Sequence, residues 1–457
     1  MKNTLIPVNR LPPEILSRVL GHHADGQTLI EATHVCRYWR STLTSSPSLW
    51  AHLLFRSSDD VDRILTYLER SKTVLLHVSI ATDSPENLEA FVCLAPHMAR
   101  MRSCLIEGAN INIDEVFARF RNSAPSLTCL EIRSRRALVP FHDDLPGDTR
   151  PPFGCPFPLP NLTEFHLSLY IESPALDIGT LFRFLSYSPR LQNIRIIASY
   201  DALYDNALDQ VISLDSLVGL DYTSRSPDRI LPRLRLPRLQ RLRVSSSGSQ
   251  QMPKLADLTP NGGRPLLAGA TKMFYLYDPQ LNWVDLSGNG VDISFAMCHS
   301  PLDPTPADWL SNQTCIPFGQ IEDLAIEGWS DTLNPPIDVF ENLRVLRVTL
   351  DRGLSTEGLL RSLLPQAGTP CPSLREIWYT YQGSLGPLIT LVRERKRAGH
   401  QLGLVCLFTE NDPDQDCEGL REHVGEVRVN ENPFPLWSLF PLDPNESPSL
   451  YVMDEIN

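Results

Sequence analysis

What this 457-residue chain lacks narrows its class before any motif does. No window of about eighteen apolar residues occurs, so no bilayer-spanning helix is expected. The opening, "MKNTLIPVNRLPPEIL", has no basic segment followed by a long apolar core. That argues against a secretory leader and for a cytoplasmic or nuclear setting. The ten cysteines include no CxxC pair, and thiols scattered in this way serve as small buried hydrophobes, not as disulfides or zinc ligands. An excess of positive charge is missing too. With a formal net charge of -13 and a pI near 5.3, the chain repels phosphate backbones and anionic surfaces, so neither nucleic acid nor membrane is an expected partner.

Signatures of catalysis are equally absent. There is no GxSxG, HExxH or GK[ST]. "LSGNGVDIS" carries Gly288 and Gly290 without the third glycine of a dinucleotide fingerprint and reads as a turn. "NDPDQDCEGLREH" starts like a calcium loop at Asp412, Asp414 and Asp416. Cys417 then stands where glycine is needed and His423 where a bidentate glutamate belongs. Cys93 and His97 are separated by Pro96 and have no second ligand pair. No catalytic residue, metal or cofactor is expected, and the chain reads as a binding protein.

What is present is a globular composition, 42% hydrophobic and 21% charged, with 39 prolines that call for many turns and exclude long helical bundles. From about residue 60, short amphipathic helices alternate with short strands. The helices are "VDRILTYLERSK", "SPENLEAFVCLA", "IDEVFARFRN", "DIGTLFRFLSY", "TEGLLRSLL" and "LGPLITLVRERKRAG". Between them the spacing L-x-x-L-x-L returns, from Met101-Cys104-Ile106 through Leu281-Val284-Leu286 to Leu374-Ile377-Tyr379, at intervals of 22 to 42 residues. These intervals bracket the leucine-rich repeat and stray beyond it. In such a unit the apolar residues point into a shared core and stacking buries them. A proline two or three residues before the strand (Pro125, Pro160, Pro189, Pro237, Pro372) is expected to stop the preceding helix and force an extended path.

Residues 8–55 differ from this rhythm. "LPPEILSRVL" places Pro12-Pro13 at a helix start with Glu14 in the first turn, and Ile15, Leu16, Val19 and Leu20 follow at helical spacing. After "GHHADGQ", one further helix is predicted from about Thr28 through Leu29, Ala32, Val35, Cys36 and Trp39 to Leu43, closed by "SSPSLW". Forty-odd residues cannot hide this much apolar surface alone. The residues by themselves leave two readings open: a docking module for another protein, or a cap on a repeat scaffold that recruits nothing.

The set Leu11, Pro12, Glu14, Ile15, Leu16, Val35, Cys36, Trp39, Arg40, Pro47, Leu49 and Trp50 resembles the F-box. This is the helical motif by which substrate receptors attach to the adaptor subunit of cullin-RING ubiquitin ligases. The link "GHHADGQ" departs from it, with His22 and His23 at usually more apolar positions. The resemblance implies that Leu11, Pro12, Glu14, Ile15, Leu16, Val19, Leu49 and Trp50 face the adaptor while Val35, Cys36 and Trp39 pack the module. The remainder looks like the irregular leucine-rich repeats that commonly follow an F-box.

The expected architecture is therefore α/β: an F-box-like helical module at 8–55, then an irregular leucine-rich-repeat solenoid at 56–409, a curved parallel sheet with helices and loops outside. Long loops fall near 138–160, 245–269 and 298–315, and 410–457 forms an acidic cap or tail. Strand residues between the leucines point to the opposite face. That face would carry Glu131, His166, Arg195, Asp221, Arg243, Asp285, Arg347 and Trp378, a mixed-charge ladder suited to a protein ligand. The expected partners are the adaptor, through it the cullin, and a substrate protein.

Overall fold

The computed structural model describes residues 7–23, 26–57, 60–81, 89–108, 124–134, 159–169, 176–198, 203–204, 211–224, 230–246, 267–278, 281–298, 316–327, 337–349, 357–365, 369–380, 385–408 and 414–430. The predicted helix "IDEVFARFRN", nearly all of the three long loops, and 431–457 lie outside these residues. Two units divide the chain, Met1–Ser247 with Leu258–Asn261, and Gly248–Asp257 with Gly262–Asn457.

The first unit opens with α1 (Pro13–His23), α2 (Gly26–Val35) and α3 (Arg37–Thr44). One helix was expected where α2 and α3 stand. The chain breaks at Cys36, whose φ of -160° and ψ of 170° are extended, and its Sγ accepts the Trp39 N–H at 3.5 Å as an N-cap. A thiol in the usual place of serine or asparagine conceals this break from composition. α4 (Val61–Arg70) and α5 (Glu89–Leu94) follow, α4 burying Ile64, Tyr67 and Leu68 at helical spacing.

The strands of this unit are β1 (His52–Phe55), β2 (Leu76–Ala81), β3 (Met101–Gly108), β4 (Cys129–Ser134), β5 (Glu164–Leu169), β6 (Leu176–Asp177), β7 (Asn193–Ala198), β8 (Leu203–Tyr204), β9 (Ile212–Ser213), β10 (Gly219–Ser224), β11 (Leu234–Arg235) and β12 (Arg241–Ser246). The main ladder runs β1-β2-β3-β4-β5-β7-β10-β12, with every neighbouring pair parallel. The short pairs β6–β8 and β9–β11 stand apart from it.

Alternation along the strands sets the inner face: Leu130 and Ile132, Phe165 and Leu167, Ile194 and Ile196, Leu220 and Tyr222, and Leu242 and Val244 are buried. Burying a large aliphatic or aromatic side chain stabilises by about 1.5–3 kcal/mol, so ordering these short strands depends on stacking.

The prolines do something more specific than stop helices. Leu127, Leu162, Leu191, Leu239 and Leu374 each donate their N–H to the carbonyl three residues back, at 3.1, 3.1, 3.1, 3.3 and 3.1 Å. Pro125, Pro160, Pro189, Pro237 and Pro372 therefore occupy the second position of a hydrogen-bonded turn, where a fixed φ near -65° is required. The same turn closes onto Leu217 and Leu343 with Asp215 and Glu341 in the proline's place.

The second unit contains β13 (Lys272–Asp278), β14 (Leu281–Gly288), β15 (Val291–Cys298), β16 (Asp323–Glu327), β17 (Val345–Thr349), β18 (Glu376–Thr380), β19 (Leu404–Phe408) and β20 (Glu426–Asn430), ordered β15-β14-β13-β16-β17-β18-β19-β20. From β13 to β20 through β16 the pairing is parallel. β13, β14 and β15 are antiparallel, which corrects the expectation that Leu281-Val284-Leu286 is one more parallel repeat. The cause is the hairpin turn at Asn289 and Gly290, with φ of 47° and 81°, the two positive values a tight two-residue hairpin needs. Helices at Ile178–Ser186, Glu357–Ser362, Gly386–Arg397 and Asp414–Arg421 match predicted segments, except that the last replaces the calcium-like loop. No helix among the described residues is long and apolar enough to cross a membrane.

Candidate functional site

The helical module has a sealed interior. Leu16, Leu29, Ala32, Leu43 and Trp50 are buried. The Trp50 indole N–H donates to the Leu43 carbonyl at 2.8 Å, Tyr67 of α4 meets its ring edge-on at 4.8 Å, and the Arg70 guanidinium lies 4.4 Å above it. The 3-10 turn Pro7–Arg10 that enters the module, and Leu11 after it, are tied down in the same way. Trp39 Nε1 donates to Asn9 Oδ1 at 2.8 Å, and the Tyr38 hydroxyl donates to the Leu11 carbonyl at 2.5 Å. Arg40 Nε donates to the Thr33 carbonyl at 2.9 Å, bridging the break at Cys36. Gly21 of α1 leaves room for Leu49, since a Cβ there would stand 3.0 Å from Leu49 Cδ2.

Its outer side keeps apolar residues in water. Ile15 and Val19, one turn apart on α1, are 44% and 46% exposed, and Val35 at the end of α2 is 58% exposed. Pro12 and Glu14 are exposed beside them in sequence, and Leu11 and Leu49 are half-buried. Two expectations are thereby exchanged. Leu16 and Trp50, assigned to docking, pack inside, Trp50 because α4 supplies a partner for its ring. Val35, assigned to packing, faces solvent, because α2 ends there and Cys36 turns the chain away. Cys36 and Trp39 are half-buried, with the hydrogen bonds above.

On the main ladder of the first unit the expected face residues are brought into one row. Glu131 pairs with His166, His166 with Arg195, Arg195 with Asp221, and Asp221 with Arg243. Arg195 and Asp221 approach to 3.3 Å, Arg133 and Glu131 to 2.6 Å. These pairs are partly to half exposed and each is worth little by itself. Further along the same face His52 and His77 stack at 4.7 Å, and His77 Nδ1 shares a hydrogen bond with Ser103 Oγ at 2.7 Å. Burial lowers the His77 pKa, with His52 and Arg102 adding to the effect.

The second unit treats its row differently. Asp285 and Arg347 were expected to be solvated and are 5% and 9% exposed. Phe274, Ala325, Cys406 and Phe408, on the same face, are buried as well, so these strands are covered on both sides. Asp285 accepts from Trp283 Nε1 at 2.5 Å, and Arg347 pairs with Asp323 while lying 5.3 Å over the Trp378 ring. Trp378, half-buried, also stacks on Phe408 at 6.0 Å. It is part of a packed strip and not the open ladder position expected of it.

One buried group escaped sequence reasoning. Arg395, fully buried, donates through Nη1 to the Pro370 carbonyl and through Nη2 to the Cys371 carbonyl, both at 2.9 Å. It sits in the run "RERKR", which reads as a solvated basic turn. Its helical spacing from Leu388, Leu391 and Val392 was the available signal.

Among the described residues no group of three or more His, Cys, Asp or Glu could hold a metal ion. Burial pushes the Cys129 thiol up to about 11, with Glu164 and Glu131 adding to it, and pushes Cys371 up to about 12. Cys104 is raised further, chiefly by burial. Thiols held in this way stay protonated near neutral pH and are poor nucleophiles.

Residues 8–56 match the family model described as F-box-like, so the chain carries an F-box-like domain there. F-box only protein 27 of Mus musculus is 35% identical over 92 residues, covering 20% of this chain and 31% of that protein. The chain thus matches under a third of the length of this curated relative.

Proposed function

We propose that this chain is the substrate-recognition subunit of an SCF-type cullin-RING ubiquitin ligase. The F-box-like module at 8–55 holds the adaptor, and the repeat array at 56–409 holds a target protein. The observation that carries this reading is the pairing of a sealed module interior with three apolar residues, Ile15, Val19 and Val35, left in water. A helical cap on its own neighbours would bury that side; a docking module keeps it for a partner. The F-box-like match over 8–56 supports the same conclusion. An irregular leucine-rich-repeat solenoid is supported by the sequential parallel ladder and by the recurring turn before each strand.

The mechanism is proximity. One surface holds the adaptor and another the target, and tethering raises the effective concentration of target lysines near the conjugating enzyme. The chain is a non-catalytic receptor, acting in the cytoplasm or nucleus. Adaptor capture by the purified chain tests it, comparing wild type with the Ile15→Asp, Val19→Asp double variant. Loss of capture with an unchanged unfolding midpoint is the expected result. Capture at full yield by the variant would take Ile15 and Val19 out of the docking surface, and no capture by wild type would favour a repeat scaffold without ligase recruitment.

A further inference from the structure

On an acidic chain, one segment of the first unit is purely basic. Between Asp228 and Asp257 there is no carboxylate, and five arginines, Arg233, Arg235, Arg238, Arg241 and Arg243, fall within eleven positions. They alternate with Leu234, Leu236, Leu239 and Leu242, all buried, so the backbone that presents them is fixed from beneath. It is held further by the Arg235 carbonyl accepting from Leu214 N–H at 3.0 Å, and by the N–H groups of Gln240 and Arg241 donating to the Val218 carbonyl at 2.9 and 3.0 Å.

Arg235, Arg238 and Arg241 are exposed, and among the described residues none of the three forms an ion pair. Arg241 Nη2 donates to Asn193 Oδ1 at 3.3 Å, and that acceptor is neutral. Among the described residues, Asp215 is engaged by the Ser213 hydroxyl at 2.6 Å and Asp221 by Arg195. Arg235, Arg238 and Arg241 follow one another along a short strand, a turn and a second strand. Residues two apart on a strand stand roughly 6–7 Å apart.

We infer that this arginine strip is where a carboxylate-rich segment of the target polypeptide docks, an inference that rests on the target-holding role proposed for the repeat array. An extended acidic peptide repeats its charges on the same length scale as the strip. A single phosphate would meet one or two of these arginines. A long nucleic acid would run beyond the strip onto a chain whose net charge is -13.

The test is fluorescence anisotropy of a labelled oligoglutamate peptide with the purified full-length protein. Wild type is expected to bind it, more weakly as salt rises, and to ignore oligolysine. The Arg235→Ser, Arg238→Ser, Arg241→Ser variant is expected to bind about tenfold more weakly or worse. Should that variant lose its native melting transition, Arg238→Ser alone, in an exposed turn, carries the comparison. Equal binding by wild type and variant overturns the inference, as does a single-stranded oligonucleotide binding at least as tightly as oligoglutamate. Adaptor capture measured on the same preparations separates the two claims: captured adaptor without peptide binding refutes only the strip.

Discussion

Arg395 and Cys371 are joined by a buried hydrogen bond of 2.9 Å, from the guanidinium of a helix to the carbonyl of a residue held at a φ of 48°. A second bond, to the Pro370 carbonyl, makes the arginine a two-pronged clamp on the turn that precedes β18. Replacing it with methionine fills the space but removes both bonds, leaving the Pro370 carbonyl without the guanidinium while the Cys371 carbonyl keeps the Leu374 N–H, so Arg395→Met should lower unfolding free energy by about 1–3 kcal/mol. Arg395→Lys should recover less than half, because one ammonium cannot span the fork. Denaturant unfolding of the three proteins measures this.

Trp50 packs the helical module against α4. Trp50→Ala removes the bond to Leu43, the contact with Tyr67 and the cation above the ring, and should cost about 3–5 kcal/mol. The Ile15→Asp, Val19→Asp variant should stay within about 0.5 kcal/mol of wild type. Thermal unfolding separates these two kinds of residue, whatever their shared place in the motif.

Cys36 should be improvable. A serine hydroxyl is a better acceptor for the Trp39 N–H than a thiol at 3.5 Å. Cys36→Ser is expected to hold or raise the stability of the module, and Cys36→Ala to lower it by about 0.5–1 kcal/mol. Hydrogen exchange of the α3 amides would register both changes.

His77 gives a pH dependence of stated sign. Its folded pKa lies below the ordinary 6.5, so between those two values the unfolded chain binds more protons than the folded one. Its neutral form is fully favoured above 6.5, and the contribution is lost as pH falls through the window beneath. Stability of wild type should therefore drop on acidification more than that of His77→Gln, measured by denaturant midpoints at matched ionic strength. An identical slope for the two proteins would remove His77 from the account.

How far the strands could be read depended on where side chains point. In β4 and β5, "CLEIRS" and "EFHLSL" alternate, and the row from Glu131 to Asp221 lies where a period of two puts it. In β19, "LVCLF" does not alternate, and an unbroken apolar run is the mark of a strand covered on both faces. The same covering buries Arg347 and Asp285. Their charge suggested solvent, and only the neighbouring runs hinted otherwise. Within the helical module the apolar positions were legible, but their partners were not. Nothing in "SSPSLW" announces that Tyr67 and Arg70 will close over Trp50, because that contact reaches past β1 to the next helix, α4.

The recurring turn carries a consequence for how this chain assembles. Each main strand of the first unit lies beside its predecessor in the ladder, and each proline already holds its turn in the unfolded chain, where it removes states that would otherwise be lost on folding. Ordering can then start at any one of these corners and spread outward one strand at a time, like a zip with several sliders. Excising a stretch bounded by two equivalent corners would shorten the ladder by one rung and leave the pairing of the others in step.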